Sequence, residues 1–147
     1  MAFGHFASAF WTLLTWSLEA LTLPPLLLFL SAALLSLIAA FIRQKPFKDE
    51  KWKSYCWVVL VQLAFFPAVV AVGALFPAHR AYGVPSPNSI GNWACDILGI
   101  LSLVTGAVWV YRMKGFRWFA ASLVLSIEMV LAGAFFIAGM AVSGDWL

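Results

Sequence analysis

Residues 118–142 read WFAASLVLSIEMVLAGAFFIAGMAV, and they decide the fold. Apart from Glu128 the stretch carries no charge, and it is rich in Ala, Gly, Leu, Ile and Phe. A bilayer core about 30 Å thick is crossed by roughly 20 apolar residues in helix, so this segment reads as a transmembrane helix. Helix is required because no water is present in the hydrocarbon to satisfy the backbone groups. No ten-residue alternation of apolar and polar positions occurs, which argues against the strands of a membrane barrel.

Three further stretches qualify on the same grounds: 24–42, 57–76 and 93–111. Composition agrees, with 147 residues, 64% hydrophobic, 10% charged and a mean hydropathy of +0.96. A soluble domain carries about a quarter charged residues, so this chain lacks the polar surface to wrap a water-facing globule. Residues 1–147 therefore read as a single membrane domain whose first partner is the lipid bilayer. The expected fold is all-α, an antiparallel bundle of four transmembrane helices.

A pI near 9.1 invites a nucleic-acid reading, but the basic residues are placed for topology. Eight of the nine Lys and Arg fall in two short segments. Arg43, Lys45, Lys48, Lys51 and Lys53 follow span one; Arg112, Lys114 and Arg117 follow span three. Arg80 stands alone across the membrane. The positive-inside rule puts both basic loops in the cytoplasm and both termini outside, in a bacterial inner membrane. Trp52, Trp57, Trp109 and Trp118 are expected at the inner interface, and Trp93 and Trp146 at the outer one.

The apolar run upstream begins near Phe6 and reaches Ile42, which as one helix is about 55 Å long and exceeds the core. Pro24 and Pro25 supply the break, because two successive residues lack N–H donors and Leu23 is pushed from helical geometry. Residues 4–22 place Phe6, Phe10, Leu13, Leu14, Leu18 and Leu21 at helical spacing, with Ser8, Thr12, Thr15, Glu19 and Thr22 toward the other side. That pattern reads as an amphipathic interfacial helix on the outer leaflet. A signal peptide is the competing reading, but the segment has no basic start. The outer loop, 77–92, holds three prolines and two glycines and reads as a turn-rich surface loop, not a strand pair.

Chemistry-bearing residues are few. Cys56 and Cys95 lie at opposite faces, about 30 Å apart, too far for a disulfide. His5 and His79 belong to the outer side, so no haem is held between two buried histidines. With Asp96, Glu19 and Asp145 they sketch an outer metal site, but no pair has ligand spacing on one helix. No nucleophile motif or phosphate loop is present. Neither a cofactor nor a metal is expected.

Glu128 remains. Ten residues into its span it lies about 15 Å deep, near the midplane. A charge there costs roughly 3 kcal/mol. The group is expected as a neutral acid that donates a hydrogen bond. Its helical face (Ala121, Leu125, Glu128, Ala132, Phe135, Gly139) carries small residues, so Glu128 is expected to face protein: the bundle or an oligomer interface. Small stripes recur at Ala32, Ser36 and Ala40, at Ala64, Ala68 and Ala71, and at Gly99, Ser102 and Gly106. Ser102 and Pro67 match its depth; Pro67 frees the Leu63 carbonyl and is expected to kink its helix. Gln62, Thr105 and Ser36 lie a turn or two closer to the basic side. These five polar side chains form either a track or a set of separate staples.

Three functions fit. One is a non-catalytic subunit that binds its own copies or other membrane subunits. A second is a small oligomeric channel or carrier in which Glu128 handles a proton or solute. The third is a membrane enzyme acting on a lipid or quinone.

Overall fold

The computed structural model describes residues 2–44, 51–81 and 84–144, the side chains of 2–3, 51–56, 79–81 and 84–85 excepted. Helices α1 (Ala2–Ala20), α2 (Pro24–Gln44) and α3 (Lys51–Leu75) are followed by strands β1 (His79–Ala81) and β2 (Val84–Ser86). Helices α4 (Ser89–Arg112) and α5 (Arg117–Ser143) complete the chain. Four helices are long and apolar enough to cross a membrane, α2, α4, α5 and residues 57–75 of α3, which is the signature of an integral membrane protein.

The long N-terminal apolar run is divided at a short turn. Leu21, Thr22 and Leu23 donate to Leu18, Glu19 and Ala20, tightening the end of α1. Pro24 and Pro25 then open α2, where a missing N–H leaves no helical bond unmade. At the far end of α2, Gln44 Oε1 accepts the backbone N–H of Phe119 at 2.9 Å. This caps the start of α5, whose own N-cap residue, Phe116, offers no side-chain bond. The same contact brings the C-terminus of α2 to the N-terminus of α5, so the two basic segments meet at one end of the bundle.

Helix α5 is the hub, packing against each of the other four helices. Lipid tails are as apolar as leucine, so helices associate in a membrane through close packing more than through the hydrophobic effect. Ala120, Ala134, Ala138 and Ala141 are accordingly buried along α5. At Gly133 a Cβ would come within 2.9 Å of the Ser17 carbonyl oxygen, so only glycine lets α1 approach this near. One apolar cluster joins α1, α3, α4 and α5 around Val69, Val70, Ala138 and Val142; a second, at the basic end, surrounds Trp109, Met113 and Ala120.

Helix α1 docks on α3 and α5 through Leu13, Ser17 and Ala20, all buried. Phe10 and Leu14 pack against that cluster, whereas Leu18, assigned above to the apolar face, is 51% exposed. The hydroxyls of Ser8, Thr12, Thr15 and Thr22 each bond a carbonyl of the preceding turn, so this face carries few unmet polar groups.

Three expectations are corrected. The 77–92 segment contains a strand pair, with His79 opposite Ser86 and Ala81 opposite Val84. Only two residues, Tyr82 and Gly83, link the strands, and a two-residue link with glycine favours a hairpin. Pro85 is tolerated because both strands are edges. That loop also ends early: Asn88 caps α4 by accepting from Gly91 N, so the helix starts at Ser89. Trp109 does not face outward as a belt tryptophan would, being 2% exposed within the basic-end cluster. Trp57, Trp93 and Trp118 are exposed; the side chains of Trp52, Cys56, His79 and Arg80, and residues Asp145 and Trp146, lie outside the described set.

Candidate functional site

Three helices meet at the depth of Glu128. Helix α3 supplies Gln62, 1% exposed, and α4 supplies Ser102, fully buried. Thr105 follows Ser102 by three residues and so shares its face of the helix. Gly106 lets α4 come close: a Cβ there would sit 2.7 Å from Val124 Cγ1 and 3.6 Å from Gln62 Nε2.

The hydrogen bonds converge on one oxygen. Gln62 Nε2 donates to Glu128 Oε1 at 2.5 Å, and Ser102 Oγ donates to the same atom at 2.6 Å. Gln62 Nε2 also lies 3.1 Å from the Ser102 carbonyl and 3.2 Å from its hydroxyl. Behind it, Thr105 Oγ1 donates to Gln62 Oε1 at 3.0 Å, and is also 2.8 Å from the carbonyls of Leu101 and Ser102. Every bond to Oε1 is thus received. Toward the bundle, Oε1 of Glu128 is an acceptor. Its second oxygen, Oε2, makes no hydrogen bond among the described residues.

Glu128 also lines a lateral groove of about 670 Å³ between α4 and α5, with Gly106, Ala107, Ala121 and Leu125. Tyr111 and Arg117 stand at its basic end, the guanidinium carbon 5.8 Å from the ring centroid, a cation–π distance. Toward the other end a second groove of about 560 Å³ lies between Asp96, Gly99, Phe135 and Gly139, and the two share Leu103. The stripe Ala121–Leu125–Glu128–Ala132 is therefore not the packed face of α5. Ala121 and Leu125 are exposed, and Glu128 and Ala132 are half-buried beside α4. The opposite flank of α4 carries a smaller groove, about 360 Å³, between Trp57, Val61, Thr105, Val108, Trp109 and Arg112.

The structure brings together Glu128, Ser102, Gln62 and Thr105. Ser36 belongs elsewhere: its hydroxyl pairs with that of Ser122 at 2.9 Å, joining α2 to α5. Pro67 lies within α3, which runs through it as helix, and is exposed. Ser122 was missed by the sequence reading although it is the serine one stripe away from Glu128. Arg117 was read as a topology signal alone, and Tyr111 only as the end of a span. Cys95 is a buried thiol within the apolar cluster away from the basic end. Among the described residues no group of three His, Cys, Asp or Glu is placed to hold a metal.

Comparison with protein-family models, with curated proteins and with solved structures returned no match.

Proposed function

We propose that the protein is a non-catalytic subunit of a membrane assembly, joined to a second copy or to another membrane subunit through the α4–α5 face. One observation carries this reading: a half-bonded carboxyl group lines an open groove near the middle of a span. Left against lipid, such a group costs roughly 3 kcal/mol if charged and forgoes hydrogen bonds if neutral. A neighbouring helix seated over the exposed Ala107 and Ala121 removes that cost, and small residues permit its close approach. In this reading the basic end faces the cytoplasm of a bacterial cell, both termini lie outside, and α1 sits in the outer leaflet.

Native mass spectrometry of the gently extracted protein tests it. A mass that is a multiple of 16.1 kDa, or one that includes further polypeptides in fixed ratio, supports the subunit role. A lone chain under conditions that keep known assemblies intact contradicts it.

A second reading has its own support. The network places two donors on Oε1 and none of the described donors on Oε2, and the side chain lines the groove, which is the arrangement an exchangeable proton or a bound solute needs. An oligomeric carrier built this way moves protons or solute in vesicles, and Glu128→Gln stops the flux while preserving the assembly. Unchanged flux in that variant removes the carrier reading.

A further inference from the structure

The α3–α4 groove differs from the groove at Glu128 in its chemistry, and that difference identifies an occupant. Its walls are Val58, Val61, Val104 and Val108; Trp57 flanks it, and Arg112 stands at its basic end. The groove opens sideways on helices long enough to cross a membrane, so whatever enters it comes from the plane of the bilayer. Arg112 brings positive charge to its basic end, and none of the described acids, Glu19, Asp96 and Glu128, lines it. Trp109 also lines the groove, and its indole N–H is buried with no acceptor among the described residues. A buried indole N–H normally finds one. Trp109 lies one helical turn, about 4.5 Å, below Arg112, which is the order in which a phospholipid presents its phosphate and then its ester oxygens.

We propose that the α3–α4 groove is a binding site for one anionic phospholipid of the leaflet at the basic end. Its phosphate pairs with Arg112, its ester oxygens lie at the level of Trp109, and one acyl chain runs along Val58, Val61, Val104 and Val108 to Thr105. Basic pockets between membrane helices are suited to such headgroups. The site lies on the opposite flank of α4 from the Glu128 groove.

The test is lipid retention by the full chain in native mass spectrometry, with added dioleoylphosphatidylglycerol or dioleoylphosphatidylcholine. The wild type is expected to keep one phosphatidylglycerol per chain in preference to phosphatidylcholine. Arg112→Gln should weaken that retention about fivefold, the effect of one basic residue at an anionic surface. Val108→Trp, which fills the groove without touching a charge, should weaken it at least as much. Lys114→Gln, on the exposed turn outside the groove, should leave it unchanged. Arg112, Val108 and Lys114 are all exposed, so these variants leave the packed interior alone. Equal retention of the two lipids overturns the proposal. So does an equal loss from Arg112→Gln and Lys114→Gln, which reports only a basic surface. Retention that survives Val108→Trp, or a variant that sheds a protein subunit instead of lipid, overturns it as well.

Discussion

The two flanks of α4 face the same surroundings with different contents. Against α5 the helix offers Gly106 and Ala107 beside a carboxyl group; against α3 it offers Val104, Val108 and the hydroxyl of Thr105. A chain of hydrogen bonds passes between them, from Thr105 through Gln62 to Glu128. The valine-lined flank is compatible with lipid as it stands. The carboxyl-bearing flank is not, because a group half-bonded at mid-membrane depth is better covered by protein. The same helix therefore has one side suited to a lipid and one suited to a protein neighbour.

The largest expected effect comes from the residue that lets these flanks coexist. Gly106→Leu drives a side chain into Val124 and toward Gln62, and should lower stability by about 3 kcal/mol in denaturant titration in detergent. A neutral result would mean that α4 and α5 are not held this close. Glu128→Ala leaves the Gln62 and Ser102 donors without their shared acceptor and should cost about 2 kcal/mol. Glu128→Gln is different, since its carbonyl oxygen can replace Oε1, and it should preserve the assembly. If the Gln variant falls apart, the carboxyl itself is required and the account of it as a neutral hydrogen-bonding group is wrong.

A subtler change separates the flanks directly. Ala121→Trp adds bulk to the rim of the Glu128 groove at an exposed position and should weaken association about tenfold, equivalent to about 1.4 kcal/mol. Val61→Trp on the other flank should leave the native mass unchanged. Dissociation by both, or by neither, would erase the distinction. The smallest effect is expected from Thr105→Val, which removes one donor to Gln62 while keeping shape; thermal unfolding should register about 1 kcal/mol or less.

Some of this was legible in the sequence because certain signals are strong. A 20-residue apolar run has few alternative readings, so the membrane class and the centres of the helices followed from composition. Depth was legible too, since a fixed rise per residue placed Gln62, Ser102 and Thr105 near Glu128. Rotation about each helix axis was not. Every span carries a stripe of small residues able to meet a neighbour, so spacing alone did not assign Ser36 to Ser122, or turn Ala121 and Leu125 outward. The open arc of α5 depends on where the four other helices settle, which no local pattern records. The burial of Trp109 was missed because a tryptophan near a helix end usually faces outward, whereas here Met113, Phe116 and Ala120 pack against it. The hairpin was hidden by its prolines, of which only Pro85 lies in a strand, on an edge.

The central claim is that the α4–α5 flank meets protein and the α3–α4 flank meets lipid. Leu125 and Val108 test it as a matched pair, being 48% and 47% exposed on opposite flanks. A photo-crosslinking benzoylphenylalanine placed at each position in native membranes should give a protein adduct from 125 and only lipid adducts from 108. Protein adducts in equal yield from both positions, or lipid adducts alone from 125, would contradict the account.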